Sequence, residues 1–421
     1  MRQLDAAGYR CVHDPDNPQG EIAVINTCGF IGDAKEESIN TILAFGERKK
    51  QHKLRRLYVM GCLSERYKAD LEKELPEVDK YFGKFDYLGI VEEVQRDNKG
   101  LEDKGLEDKG QGDKAADYER VLTTPRHYAY LKIAEGCNRF CSYCAIPLIT
   151  GRYRSRRMED ILDEVRWLTT QGVRELQVIA QDLSAYGTDL YGEHRLPELV
   201  ERISDIPGVD WIRLHYAYPT DFPYDLLRVM RERDNVCKYL DIALQHSSDH
   251  MLSLMRRHIT AAEQEELIRR IRSEVPGIGL RTTLMVGHPG ETEEDFEQLK
   301  DFTKRMRFER MGCFAYSHEE GTYAGEHYKD DVPEEVKQRR VEELMTLQES
   351  IAAEVAESMT GKRLKVIIDK KEGEYHIGRT EWDSPEVDCE VLIKTDKEIE
   401  TGGIYEAEIT GSENYDLYAA I

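Results

Sequence analysis

Cys137, Cys141 and Cys144 stand in one short run, Glu135-Gly136-Cys137-Asn138-Arg139-Phe140-Cys141-Ser142-Tyr143-Cys144, separated by three and then two residues. Three thiolates on one loop suffice for three irons of a four-iron, four-sulfur cube and leave the fourth iron open to a substrate or cofactor. Zinc asks for two cysteine pairs, or a pair with histidines, and no second pair follows at zinc-like distance. A disulfide framework suits an oxidising compartment, whereas nine cysteines in 421 residues without a signal-peptide pattern suggest a reducing cytoplasm. Zinc and unliganded core thiols remain as the alternatives to a cluster.

The elements around the run set where that chemistry would sit. Tyr130 to Ala134, Glu175 to Ala180, Trp211 to Tyr216, Tyr239 to Leu244, Gly279 to Met285 and Arg310 to Tyr316 read as apolar strands alternating with amphipathic helices. Such repeats predict a parallel barrel, closed or three-quarters closed, whose site lies at the carboxyl ends of its strands. The three cysteines follow the first of these strands. Gln181 and Asp182 end the second and Gln245 the fourth, so they are candidates for holding a cofactor or target, with plain strand-end capping as the other reading. Cys237, Cys313 and Cys389 lie in apolar or strand contexts and read as small core residues.

Two further cysteines end strand-like runs near the amino terminus, Cys28 after Glu21 to Thr27 and Cys62 after Arg56 to Gly61. Ala34 to Lys50 between them has helical spacing, which makes a parallel strand-helix-strand unit with both cysteines at strand ends, where one metal site could use both. The repeat Lys99-Gly100-Leu101-Glu102-Asp103, Lys104-Gly105-Leu106-Glu107-Asp108 is too poor in apolar groups to offset ordering entropy and reads as a linker or surface loop. Pro333 opens a long helix with Leu344, Leu347, Ile351 and Val355 on one face. Beyond Gly361, short alternating runs (Leu364 to Asp369, Val387 to Ile393, Ile404 to Thr410) predict a small antiparallel barrel.

The net charge is -23, from 82 acidic and 59 basic side chains. Phosphate backbones repel such a chain on average, so RNA would need a locally basic face, and a basic protein partner fits better, with acid that simply keeps an abundant enzyme soluble as the other reading. Lys362 to Ile421 alone carries 15 Asp and Glu against 8 Lys and Arg. No apolar stretch is long enough for a transmembrane helix.

These motifs together resemble the methylthiotransferase family of the radical S-adenosylmethionine (SAM) enzymes. The resemblance rests on Asn26-Thr27-Cys28-Gly29-Phe30, Gly61-Cys62-Leu63, the triple-cysteine loop and a terminal barrel of the TRAM type, and covers nearly the whole chain. Ala180-Gln181-Asp182-Leu183-Ser184-Ala185-Tyr186-Gly187, Asp241 to Asp249 and Gly378 to Glu386 look like the branch that modifies an aspartate of small-subunit ribosomal protein twelve. The sister branch modifies a tRNA adenosine, and the acidic terminal module favours the protein substrate, because a tRNA reader must neutralise phosphates. The rival of another class is a non-catalytic ribosome-binding module whose cysteines hold a structural metal.

The resemblance implies an α/β chain in three parts: an incomplete amino-terminal parallel α/β domain over 1–95, a partial radical SAM (β/α) barrel over 121–358 and an all-β, OB-like TRAM barrel over 359–421, with a low-complexity linker over 96–120. Two [4Fe-4S] clusters and SAM are the implied cofactors. The cluster on Cys137, Cys141 and Cys144 supplies an electron that cleaves SAM, and the 5'-deoxyadenosyl radical takes hydrogen from the aspartate β carbon, a step beyond any acid or base at neutral pH. Tyr143 is placed against the adenine and Gly287, in Val286-Gly287-His288-Pro289-Gly290-Glu291, near it; His288, where the family more often has an aromatic residue, reads as a loop residue. Cys28 and Cys62 are implied ligands of the auxiliary cluster. The family's third such cysteine precedes a helix resembling Met1 to Tyr9, so this sequence starts inside that helix, Cys11 is a poor substitute, and the second cluster should bind weakly or not at all. A start codon assigned too far downstream is the favoured explanation over true truncation. The remaining expectations are a basic ribosomal protein substrate docked on the acidic TRAM module, an electron-donor protein, no membrane, a monomer, and a cytoplasmic location.

Overall fold

The structure is a computed structural model that describes residues 1–14, 18–99 and 119–421. It divides into two compact units, Met1–Thr123 and Thr124–Ile421. Most of the linker expected over 96–120 lies outside the described residues.

In the first unit, β1 (Ile22–Thr27), α1 (Gly32–Lys50), β2 (Arg56–Gly61), α2 (Cys62–Glu74), β3 (Lys80–Tyr81) and α3 (Tyr87–Lys99) form a three-stranded parallel sheet in the order β1-β2-β3 with helical crossovers. Its core gathers Ile25, Ile42, Leu57, Val59, Leu63 and Leu71, each burial contributing about 1.5–3 kcal/mol. Thr27 and Gly61 are register partners, which places Cys28 and Cys62 at neighbouring strand ends. Gly61 has φ +107° and a Cβ there would stand 2.4 Å from the Thr27 carbonyl oxygen, so only glycine makes this turn.

The second unit is built on six parallel strands: β4 (Tyr128–Lys132), β5 (Glu175–Ile179), β6 (Trp211–Ala217), β7 (Val236–Ile242), β8 (Gly279–Val286) and β9 (Arg310–Ala315). Their spatial order is the chain order, from β4 at one edge to β9 at the other, and the sheet stays open, so the barrel is partial. All six runs read as strands are strands. The crossovers carry α4 (Met158–Thr170), α5 (Leu196–Ser204), α6 (Asp225–Glu232), α7 (Ala261–Glu274) and α8 (Glu293–Met306). Full capping boxes start α7, at Thr260 and Glu263, and α8, at Thr292 and Asp295. Long α9 (Glu334–Glu357) follows Pro333 and buries Leu344 and Ile351. Cys237, Cys313 and Cys389 are buried, as read from their apolar surroundings.

The terminal module is a closed five-stranded barrel of β10 (Arg363–Glu372), β11 (Tyr375–Thr380), β12 (Val391–Lys394), β13 (Ile404–Glu413) and β14 (Asp416–Ala420), filled by Val366, Ile368, Val391, Ile393, Ala407 and Ile409. Two features differ from expectation. The barrel is not wholly antiparallel, because β12 pairs with β14 in parallel through Val391 and Leu417. Val387 to Glu390 is also not strand: Asp388 turns inward, where it accepts the Ser384 backbone N–H (2.9 Å) and pairs with Arg281.

This barrel plugs the amino ends of the parallel strands. Arg379 of β11 reaches the buried Glu175 of β5 at 2.6 Å, and Arg213 of β6 shares that carboxylate at 3.0 Å. Arg310 donates to Asp383 (2.9 Å), Trp382 Nε1 to the Gly277 carbonyl (3.0 Å), and the Lys238 N–H to Glu381 (2.9 Å). The motif Gly378 to Glu386 is therefore a joint. With one end filled, the carboxyl ends of the strands, where the cysteine loop lies, are left for a ligand.

Candidate active site

The cysteine loop leaves β4 through a two-residue ladder, Ala134–Glu135 against Arg154–Ser155. Gly136 then turns the chain at φ +85°, with the Arg152 carbonyl oxygen 2.2 Å from where a Cβ would be. The Cys137 N–H donates to Gly151 O (3.3 Å) and the Cys144 N–H to Cys141 O (3.0 Å), so the loop is folded by its own backbone. Ser142 ties it to both sides: its N–H donates to Met255 O (3.0 Å), its carbonyl accepts from Ala324 N–H (2.7 Å), and its Oγ lies 3.2 Å from His288 Nε2.

The three thiols act on one another. Burial, and then the nearby Cys141 sulfur, pushes the Cys144 thiol up to about 12. Burial likewise pushes Cys137 up to about 11, with Asp182 and then Cys141 adding to it. Mutually repelling, sequestered thiolates are poor as free anions and suit a cationic metal centre that neutralises them all. Three thiols on one loop leave a closed tetrahedral zinc site one ligand short but suffice for three corners of an iron–sulfur cube, so the donor set fits the cube.

Two arginines frame the thiols. Arg257, 2% exposed, donates from Nη1 to Cys141 Sγ (3.3 Å) and Tyr143 Oη (3.4 Å), and its guanidinium lies 4.1 Å from the Tyr218 ring centroid. Arg139 stacks on the same ring at 4.3 Å, donates through Nε to Asp182 Oδ2 (2.6 Å), and its own N–H faces Cys137 Sγ at 3.4 Å. Tyr218 Oη stands 3.6 Å from Cys141 Sγ. The patterns that mark the cysteines in the sequence do not mark Arg139, Arg257 or Tyr218. Arg139 sits inside the motif and was legible there, whereas Arg257 and Tyr218 reach the loop from 116 and 77 residues away.

Of the residues singled out beforehand, Tyr143 is in the loop and meets the His288 ring edge-on at 6.4 Å. Gln181 donates to Glu135 Oε1 (2.8 Å) while its buried Oε1 has no partner among the described residues; the same holds for Asp182 Oδ1. Two buried acceptors beside the thiols are what a bound ligand with N–H or O–H donors would satisfy. Gln245, at φ +71°, extends β7 by pairing its backbone with Thr283 and Met285, and no hydrogen bond of its side chain is found among the described residues. Gly287, at φ +74°, donates its N–H to Glu291, with Lys337 packed where a Cβ would project. Glu291 also accepts from Arg340 (2.7 Å) and His246 Nε2 (3.1 Å); because His246 Nδ1 accepts the Ser248 N–H, Nε2 carries the proton. His288, read as a plain loop residue, is fully buried among the Tyr143, Tyr316 and Tyr328 rings, and burial lowers its pKa to about 4. Cys28 is exposed and Cys62 half-buried in the first unit.

Comparison with known proteins agrees with this geometry. Residues 131–303 match the model of the radical SAM superfamily, residues 360–421 that of the TRAM domain, and residues 1–83 that of an uncharacterized family, UPF0004. The chain is 62% identical over 422 residues to the ribosomal protein uS12 methylthiotransferase RimO of Bacteroides thetaiotaomicron, covering 100% of this chain and 94% of that protein. The protein of the same name from Phocaeicola vulgatus is equally similar, at 62% with the same coverage. Among solved structures, the radical SAM methyltransferase TsrM of Kitasatospora setae superposes with a TM-score of 0.51 at 16% identity, over 79% of this chain and 64% of that one, a likeness of fold.

Proposed function

The chain belongs to the RimO family of ribosomal protein uS12 methylthiotransferases, and on that premise we propose how its residues serve the reaction. The enzyme transfers a methylthio group to uS12, and the acceptor in this reading is the β carbon of an aspartate. The observation that carries it is the trio Cys137, Cys141 and Cys144 on one folded loop at the carboxyl ends of a six-stranded parallel sheet. When bound, a [4Fe-4S] cluster and SAM supply a radical able to take hydrogen from an unactivated carbon.

The protein's own work is placement. Cys137, Cys141 and Cys144 hold the cluster, with Arg257 and Arg139 setting charge beside them. Tyr143 and the Gly287 turn flank the adenine. Gln181, Asp182 and Gln245 line the cofactor and target side of the mouth, two of them with acceptors still free. Cys28 and Cys62 would supply two ligands to an auxiliary cluster, which this sequence binds weakly or not at all. An electron-donor protein, a monomeric chain and a cytoplasmic location complete the reading, as does the division at 1–95, 96–120, 121–358 and 359–421. Among the described residues no helix is long and apolar enough to cross a membrane.

Substrate docking is assigned to the acidic side of the terminal barrel, although five of its 15 acids, Asp369, Glu381, Asp383, Glu386 and Asp388, are bonded within the joint. The test is mass spectrometry of uS12 after incubation with the anaerobically reconstituted enzyme, SAM and a low-potential reductant. A methylthio group on an aspartate β carbon is the expected product. Formation of 5'-deoxyadenosine with unmodified uS12, and modification of tRNA instead, would overturn the choice of substrate.

A further inference from the structure

A cavity of about 740 Å³ opens between α9, the edge strand β9 and the terminal barrel, away from the cysteine loop. Three arginines line it, Arg281, Arg310 and Arg379, and each is already paired with a carboxylate of the joint, Asp388, Asp383 and Glu175 respectively. The acids facing them across the cavity are differently placed. Glu342 and Glu349 of α9 are exposed and have no basic partner among the described residues. Among the described residues the Glu386 side chain accepts only the Tyr128 hydroxyl (2.9 Å), and that of Asp416 only the Glu390 N–H (2.9 Å). Glu390 has a single distant lysine, Lys370, at 3.8 Å.

The lining between these acids is apolar: Met311, Met345, Ala352, Val387 and Tyr415, with Val387 63% and Tyr415 42% exposed. Gln348, 4% exposed, also lines the cavity; its Nε2 donates to Phe308 O (2.9 Å) while its Oε1 has no hydrogen-bond partner among the described residues. Uncompensated carboxylates, an apolar lining and a spare buried acceptor ask for a ligand with long apolar stems ending in cationic donors. Lysine and arginine side chains have that form.

The cavity touches Arg310 and Met311 at the start of β9, whose far end, Ala315, leads into Tyr316, and the Tyr316 ring meets His288, which contacts Ser142 of the cysteine loop. Five residues of strand span about 17 Å. Because β9 is the outer strand of its sheet, an extended chain laid along it would reach from cavity to mouth.

We propose that this cavity is a docking groove for a Lys/Arg-rich extended segment of the protein substrate, about five residues from the position that is modified. The inference rests on the uS12 reading and names where its basic flank is held. Charge complementarity selects the occupant, and the groove contributes substrate affinity rather than chemistry.

The test measures fluorescence anisotropy of a labelled peptide alternating Lys or Arg with Gly, on the full reconstituted chain, alongside KM for uS12. The double variant Glu342→Lys/Glu349→Lys changes two exposed positions and should weaken peptide binding about tenfold and raise KM about tenfold at low salt. Glu294→Lys, on exposed α8, should leave both unchanged. Unaltered peptide affinity in the double variant, an equal loss in Glu294→Lys, or displacement of the peptide by spermidine at matched charge would each overturn the groove. Failure of the function itself has a separate signature: the wild-type chain would bind the peptide yet leave uS12 unmodified.

Discussion

Arg379, on the terminal barrel, places Nη2 2.6 Å from Oε2 of Glu175, on the first position of β5, and both side chains are almost wholly buried. Burial alone would raise the Glu175 carboxyl, but Arg379 and then Arg213 outweigh it and hold the pKa at about 2, against an ordinary 4.5. The two modules of this unit are thus joined through a shared buried charge. Arg379→Met leaves Glu175 with Arg213 alone and Asp369 with His127 alone, which should cost about 3–5 kcal/mol. Replacing Arg379, Arg213 and Glu175 together by apolar residues of similar volume should cost far less, because no charge of the buried trio is then left unpaired. Urea unfolding of the single and triple variants checks this, and equal losses would refute it.

Two buried histidines set the acid limit of stability. Burial lowers His288 to about 4 and His215, bonded through Nε2 to Gln177 Oε1 (2.8 Å), to about 3. In the unfolded chain both take protons near 6.5 while the folded chain does not, so stability is full above that value and falls as pH drops toward 4. His288 alone accounts for about 3 kcal/mol over that window. His288→Phe, which keeps an aromatic ring there, should lose the Ser142 contact yet flatten the decline between pH 6.5 and 4, as thermal unfolding followed against pH would show.

The strands and the cysteine loop were legible because their signals are local: apolar runs at strand length, and thiols three and two residues apart. The frame of the loop was not. Arg257 and Tyr218 carry no local spacing signal, and their roles arise only when β6 and the segment after β7 are brought to the mouth. Gly378 to Glu386 was visible as a motif, but its use as a plug depends on Arg379 meeting Glu175 across 204 residues. In the terminal barrel, the parallel β12–β14 pair escaped notice because alternation gives a strand's faces and says nothing about its direction. The fate of Asp388 shows the same limit, since an acid in an acidic module looks solvated until a buried arginine claims it.

Iron analysis separates the two cluster sites. Cys28 and Cys62 stand at neighbouring strand ends of the first unit and supply two thiols where a four-iron cube takes three or four protein ligands. Anaerobic reconstitution of this sequence should therefore give about four irons per chain. Cys137→Ala, Cys141→Ala or Cys144→Ala should each abolish that content together with 5'-deoxyadenosine formation, whereas Cys28→Ala should change neither. Two full clusters in the unaltered chain would contradict this.

Gly136 is the covalent hinge of the loop. At φ +85°, with the Arg152 carbonyl oxygen 2.2 Å from a Cβ position, alanine there must move the backbone that carries Cys137. Gly136→Ala should cost more than the roughly 1 kcal/mol of left-handed strain alone and should lower iron content without unfolding the chain. Circular dichroism beside iron analysis distinguishes a displaced loop from global loss. Gly172→Ala, at φ +91° but with open space around it, is the matched control for strain without a clash.

Arg257 should tune the cluster electronically. Its guanidinium donates to Cys141 Sγ from 3.3 Å, stacks on Tyr218, and is held by the Ala243 carbonyl, so the cation is fixed beside one ligand of the trio. A buried positive charge and an N–H to sulfur both favour the more negative, reduced state. Arg257→Met removes them at similar length and should lower the midpoint potential by about 60 mV, a tenfold change for a one-electron couple. Arg257→Lys keeps the charge without the planar fork and should fall between the two. Titration followed by electron paramagnetic resonance, normalised to iron content, reads this apart from turnover. If the potential of Arg257→Met matches the wild type while activity falls, Arg257 serves through packing against Tyr218 and Tyr143 and not through its charge.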